Sequence, residues 1–246
     1  MKALAFAVTL SLTLAIAVVA QDSKPSPKSN GTSKQPAEAA ANIDVAAIQK
    51  KIDEFTEAIK REPQNDKYYG ARGQGYQRLG KLDLSIADLS RAIELNPKRQ
   101  AYFQVRASVY GKQKRYREAF LDYSKAIEVG PKTHYLVLKQ GQAAILQSDF
   151  KTALASAKVA DALKSNDFET LVLLGSAEQK LGKLEESLAS LTRALELNPN
   201  DGGVFLIRAD TYKLLGKRDC KFRKLPAPNS ANCRQQNPES RGTRFR

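Results

Sequence analysis

Apolar residues recur at helical spacing from Ile43 onward, and the pattern itself recurs at a fixed interval. The segment LGKLDLSIADLSRAIELNP begins at Leu79, and the similar segment LGKLEESLASLTRALELNP begins at Leu181, which is 102 residues or three times 34 later. Between them, RYREAFLDYSKAIEVGP ends at Pro131 in the same register. A period of 34 residues predicts a stack of helix pairs, in which each pair covers the apolar face that its neighbour leaves bare.

Helix-ending residues mark the boundaries within this period. Gly80 and Gly182 follow the first helix of their pairs, and we expect them to end it in the left-handed conformation. Proline ends a helix because it lacks a backbone donor and disfavours helix in the preceding residue. Five positions follow a second helix at this spacing. Four of them are proline, namely Pro63, Pro97, Pro131 and Pro199, and the remaining one is Ser165.

Taken together, these positions resemble the tetratricopeptide repeat. That family has small residues and an aromatic at set places in the first helix, and small and bulky residues in the second. Ala144 and Glu178 depart from it, since they stand where an aromatic is usual. The positions that define the four repeats are Gly73, Tyr76, Ala92 and Pro97; Ala107, Tyr110, Ala119, Ala126 and Pro131; Gly141, Ala153 and Ala160; and Gly175, Ala194 and Pro199. The resemblance implies an all-α solenoid of antiparallel helix pairs in a right-handed superhelix.

The repeats divide the chain. Residues 64–97, 98–131, 132–165 (a divergent copy) and 166–199 are expected to be full repeats. Residues 43–63 match only a second helix, and residues 200–216 match only a first helix. The remaining parts are a polar linker at 21–42 and a basic tail at 217–246, where Cys220 and Cys233 could pair in an oxidising compartment. The array stops near Lys217, and three explanations are open. A partner could cover the last helix, the tail could fold back on it, or the reading frame could be interrupted.

Residues 1–20 have the pattern of a secretory signal peptide. Lys2 precedes an apolar run, and Val18-Val19-Ala20 offers a small-residue cleavage site. The alternative is an uncleaved membrane anchor, although the run is barely long enough to span a bilayer. Cleavage predicts an exported protein, periplasmic or secreted (in the secretory lumen of a eukaryote), without stable membrane insertion.

Charge and chemistry point away from catalysis. The formal net charge is +14, of which the tail holds nine Lys and Arg against Asp219 and Glu239. The only histidine, His134, leaves no pair of histidines for a metal site. No phosphate-binding loop, zinc spacing or nucleophile motif is present in the sequence. We therefore expect no enzyme activity, cofactor, metal or nucleic-acid ligand.

The family resemblance also implies a binding groove, lined by the first helix of each repeat. Some members grip the carboxylate end of chaperone tails with Lys and Asn, but this chain has Gly70 and Gln74 there, so that ligand is not expected. The residues at the corresponding inward positions are Lys67, Gln74, Gln77, Arg78, Gln104, Ser108, Lys112, Tyr135, Leu138, Lys139, Gln142, Ile145, Glu169, Val172, Ser176 and Gln179. Polar members could hydrogen-bond a peptide backbone and apolar ones could receive anchors, or several could simply complete the helix packing.

The sequence thus favours a non-catalytic scaffold that binds a protein or peptide outside the cytoplasm. The alternatives are a co-chaperone that holds unfolded chains, a truncated or accessory subunit of a larger enzyme or assembly complex, and a binder acting through its basic tail. The oligomeric state stays open.

Overall fold

The computed structural model describes residues 44–216, which form two compact units, residues 44–164 and 165–216. Within the first unit the seven helices are α1 (Val45–Arg61), α2 (Asp66–Arg78), α3 (Leu82–Leu95), α4 (Gln100–Lys112), α5 (Tyr116–Val129), α6 (His134–Leu146) and α7 (Phe150–Leu163). The second unit holds α8 (Phe168–Lys180), α9 (Leu184–Leu197) and α10 (Gly202–Leu214). No strand occurs in the described range.

The 34-residue period holds at every helix pair. The first helices α2, α4, α6, α8 and α10 begin at residues 66, 100, 134, 168 and 202. The second helices α3, α5, α7 and α9 begin at residues 82, 116, 150 and 184. Within each unit, helices that follow one another in sequence pack together, as short connections between antiparallel helices require. The all-helical repeat architecture expected from the sequence is therefore confirmed.

Every first helix ends on a left-handed residue. Gly80, Gly182 and Gly216 have φ of 72°, 76° and 72°, and at the same place Lys114 and Ser148 have φ of 61° and 67°. The next backbone amide then reaches back five residues, as in the 2.9 Å bond from Lys81 N to the Tyr76 carbonyl. These bonds satisfy helix-end carbonyls, and the chain reverses into the second helix.

Small residues bring the paired helices into close contact. In the second unit a Cβ added at Gly175 would lie 2.6 Å from Leu191 Cγ, and the Ser187 hydroxyl donates to the Gly175 carbonyl at 2.7 Å. In the first unit the Ser85 hydroxyl makes the same 2.7 Å bond to Gly73. The cores lie between such pairs, and Leu89, Ala107, Ala126, Leu171, Leu191 and Ala194 are fully buried there.

Arginine and aspartate join the two helices of a pair in two of the repeats. Arg72 holds Asp88 through Nε and Nη2, both at 2.7 Å, and Nη1 donates to Thr56 Oγ1 at 3.1 Å. Thirty-four residues on, Arg106 holds Asp122 at 2.7 and 2.8 Å. Burial lowers the pKa of Arg106, but the hydrogen bond and charge of Asp122 outweigh it, so the pKa is raised. Both ion pairs therefore hold the first and second helix of a repeat together.

Candidate protein-interaction surface

The residues expected to line the groove differ widely in exposure. Six are exposed: Lys67, Gln74, Arg78, Lys112, Glu169 and Tyr135, the last with 45% of its surface accessible. The half-buried members are Gln77, Gln104, Ser108, Lys139, Gln142, Val172 and Gln179. In residues 44–164 the exposed and half-buried members lie on α2, α4 and α6, and we call this set the first-helix surface.

Three of the expected groove residues lie in the packed interior. Leu138 is 4% exposed, Ile145 is 5% exposed and Ser176 is 8% exposed. The repeat register placed them at inward positions, but these side chains pack between helices. Gln104, the residue equivalent to Leu138 one repeat earlier, is half-buried. Of the two readings left open by the sequence, this burial fits side chains that complete the helix packing and not side chains that face a ligand.

Polar contacts on the first-helix surface tie its side chains to one another. Gln77 Nε2 donates to Ser108 Oγ at 3.3 Å, which joins α2 to α4. On α6, Lys139 Nζ donates to Gln142 Oε1 at 3.0 Å and lies 5.7 Å from the centre of the Tyr135 ring. The surface therefore offers an aromatic face beside an ammonium group.

In the second unit, one expected groove residue joins helices instead of standing free. Gln179 Nε2 donates to the Ile207 carbonyl at 3.1 Å and to Thr211 Oγ1 at 2.9 Å. Its amide group therefore fastens α8 to α10, and neither of these hydrogen bonds is left for a ligand.

The first-helix surface is basic. Its cations are Lys67, Arg78, Lys112 and Lys139, and the only acidic residue within α2, α4 and α6 is Asp66. Asp66 is already engaged, because the Tyr102 hydroxyl donates to it at 2.6 Å, and this bond lowers the pKa of the Asp66 carboxyl. Counting charges helix by helix in the sequence would have revealed this excess, which the whole-chain charge conceals.

Gly70 has a packing role that also excludes a lysine. A Cβ at Gly70 would collide with the Tyr102 ring, which packs across α2 from α4. Any longer side chain there would have to displace a tyrosine that is 3% exposed. The packing of Tyr102 therefore leaves no room for a lysine at this position.

Other kinds of site have no support within residues 44–216. No group of three or more His, Cys, Asp or Glu side chains in that range is arranged to hold a metal ion. None of the helices there is long and apolar enough to cross a membrane. The expected signal peptide, linker, basic tail and cysteine pair, Cys220 with Cys233, lie outside the described residues.

Comparison with known proteins identifies the repeats. The tetratricopeptide repeat family model matches residues 66–99 and again residues 168–201. These matches, together with the helical architecture, show that the chain contains tetratricopeptide repeats. Proteins of this fold are in general non-catalytic scaffolds that bind other proteins.

Solved structures of the same architecture share little sequence with this chain. YrrB, described as a TPR protein with an unusual peptide-binding site, aligns with a TM-score of 0.61 and 23% identity over 68% of this chain and 87% of its own. A tetratricopeptide repeat protein from Parabacteroides merdae aligns with a TM-score of 0.62 and 18% identity, covering 75% and 73% of the two chains. MamA aligns with a TM-score of 0.60 and 15% identity over 63% of this chain and 85% of its own. At these identities the likeness shows the fold alone.

One sequence relative matches over a short stretch. The DNA excision repair protein ERCC-6-like of Bos taurus is 40% identical over 52 residues, which are 21% of this chain and 4% of the bovine protein. A match of this length covers little more than one repeat and says nothing about the activity of this chain.

Proposed function

We propose that the protein is a non-catalytic scaffold outside the cytoplasm, and that the first-helix surface of residues 44–164 binds an acidic, extended segment of a partner protein. The observation that carries the proposal is the charge of this surface. Four cations lie on this surface, three of them exposed and Lys139 half-buried, and the one carboxylate of these helices is turned to Tyr102.

The neighbouring side chains suit an extended segment. Gln74 is exposed and Gln104 is half-buried, so both offer an amide that can pair with the backbone groups of a ligand. Tyr135 adds an exposed aromatic ring, a residue type that often anchors protein interfaces. Because the cations are solvated at least in part, we expect them to speed and orient association more than to supply its affinity.

The location outside the cytoplasm rests on the sequence of residues 1–20, with its basic start, apolar run and small-residue end. Analysis of the mature protein from its own cells gives the test. An N-terminus at or near Gln21 supports export, and an intact Met1 in a cytoplasmic fraction contradicts it.

The binding proposal is tested by affinity capture from a secretory-lumen or periplasmic extract, with the full chain as bait. A bait with Lys67→Glu and Lys112→Glu reverses two charges on the first-helix surface. The matched control reverses two exposed charges at the starts of second helices, Arg117→Glu and Lys151→Glu. We expect the partner to be lost only from the first bait, and capture to weaken as salt rises.

Two outcomes would contradict the proposal. Equal loss from both baits would mean that net charge, and not this surface, attracts the partner. Retention by both baits, with loss from a bait that ends at Gly216, would assign binding to the basic tail.

A further inference from the structure

The last described helix, α10, has at four positions the same kinds of side chain as α2 and α4, which are each packed against a following second helix. On α10 the relevant positions are Phe205, Arg208, Ala209 and Tyr212, an aromatic, an arginine, a small residue and another aromatic. The same four positions hold Phe103, Arg106, Ala107 and Tyr110 on α4, and Tyr69, Arg72, Gly73 and Tyr76 on α2. On α6 and α8 the arginine is replaced by Gln140 and Leu174. Arginine therefore occurs at this position on α2, α4 and α10 but not on every first helix.

In α2 and α4 this face is covered by the following second helix, and the arginine meets an aspartate sixteen residues further on. Arg208 is 7% exposed and lies over the Phe205 ring at 5.2 Å, but no acidic side chain of the described residues pairs with it. A guanidinium withdrawn from water without a carboxylate is unfavourable, and this desolvation lowers the pKa of Arg208. Ala209 is also only half-buried, whereas Ala107 is completely buried.

The C-terminal tail is a poor complement for this face. Continued in register, residue 224 would stand opposite Arg208, and it is Lys224. Pro226 and Pro228 would also fall within the second helix, where proline removes a donor and clashes with the preceding turn. In this register, a helix that covers the face and neutralises Arg208 has to bring a carboxylate opposite it.

The first described helix is such a helix. In the register of the repeats α1 is a second helix, and it packs on α2 through Ile52 and Thr56. No first helix of its own pair precedes it among the described residues. Its other face carries the exposed Glu54 and the half-buried Phe55 and Ala58, which correspond in register to Asp88, Leu89 and Ala92. Phe55 also contacts Tyr68 of α2, with the ring centres 6.4 Å apart.

We propose that α1 of a second copy of this chain packs on α10 of the first, with Glu54 of one copy paired with Arg208 of the other. The junction restores a complete helix pair from two incomplete ones. It is a head-to-tail contact that uses two different surfaces, so it extends into longer assemblies unless the rotation closes a ring.

One position departs from the intramolecular pairs. Lys51 stands where Ser85 and Ser187 are completely buried against a first helix. Its longer side chain holds the two helices further apart, so the association is weaker than packing within the chain and depends on concentration. Replacing it by the residue found within the repeats, Lys51→Ser, is expected to strengthen the association.

Sedimentation velocity of the full chain over a range of concentrations tests the proposal. We expect the average mass to rise with concentration, and Glu54→Arg to weaken association about tenfold or more, as loss of a desolvated charge pair does. Glu57→Arg is the matched control, because Glu57 has the same charge on the exposed side of α1, where it pairs with Lys60. Far-UV circular dichroism checks that each variant is folded.

A mixing experiment identifies the pair itself. Glu54→Arg copies and Arg208→Glu copies are each expected to stay monomeric alone, whereas an equal mixture reassociates, because each junction again joins one acid to one arginine. A wild-type chain that is monomeric at all concentrations overturns the proposal. So does association that survives Glu54→Arg, or that is lost equally with Glu57→Arg. Should Arg208→Glu not fold, Glu54→Arg against its control still decides.

Discussion

The ion pair between Arg106 and Asp122 gives the sharpest test of how the repeats are held together. Arg106 makes three bonds, two to Asp122 at 2.7 and 2.8 Å and one to Ser90 Oγ at 2.8 Å. The side chains are only 18% and 9% exposed. Removing one member of a buried pair costs about 3–5 kcal/mol, and partial solvation here reduces this to about 2–3 kcal/mol. Asp122→Ser and Arg106→Gln should each lower the free energy of unfolding by that amount.

The chain itself supplies the design of the double variant. In the next repeat the same positions hold Gln140 and Ser156, where Gln140 donates to Ser124 at 2.9 Å and accepts from Ser156 at 3.1 Å. Arg106→Gln with Asp122→Ser copies that neutral arrangement beside Ser90. Since no charge is left without a partner, we expect the double variant to lose only about 1 kcal/mol, so the two changes are coupled by about 3–5 kcal/mol.

Urea unfolding followed by far-UV circular dichroism measures these free energies, with tyrosine fluorescence as a second probe. Coincident transitions are required, because repeat arrays can unfold in steps. If the double variant loses the sum of the two single losses, the paired charges do not act as a unit and the reasoning fails.

Three further predictions concern backbone, acid and core. Lys114→Gly should stabilise the protein by about 0.5–1 kcal/mol, since glycine adopts the left-handed conformation without strain; a lower urea midpoint would contradict this. Asp66→Asn should cost about 1–2 kcal/mol at pH 7, where the ionised carboxylate accepts from Tyr102. Because the pKa of Asp66 is lowered in the folded state, its contribution is present above the unfolded pKa and lost as pH falls through the folded value, so the two melting temperatures should converge in acid. Asp161 has a buried carboxylate oxygen without a hydrogen-bond partner, and the equivalent residue one repeat earlier is Ile127. We therefore expect Asp161→Leu to raise the free energy of unfolding in urea by about 1 kcal/mol. A decrease would show that the carboxylate has a role.

Much of the fold follows from the sequence because the repeat supplies the same evidence several times. The 34-residue register fixed by Pro97, Pro131 and Pro199 agrees with the observed helix bounds in both units. Gly80 and Gly182 were expected in the left-handed conformation and are found there. Residues that recur at the same position in several repeats therefore predict where helices end and which backbone conformation is adopted there.

Features that belong to a single repeat were beyond the sequence. Lys114 and Ser148 adopt the left-handed conformation without being glycine, because the connection forces the chain to turn there. Gly70 was not recognised as the seat of the Tyr102 ring, a contact between residues 32 apart in sequence. For Leu138 and Ile145 the sequence left both a groove position and a packing position open, since register gives the direction of a position but not the depth of its neighbours.

Site-specific photo-crosslinking tests the central claim, that the first helices present the binding surface, most directly. A photoreactive side chain is placed at Gln74 on α2 or, as the comparison, at Leu121, which is 57% exposed on α5. Both variants are then illuminated with the partner recovered by affinity capture. We expect a crosslinked partner at Gln74 and none at Leu121. Crosslinking at Leu121 with none at Gln74 would place the partner on the second helices and contradict it.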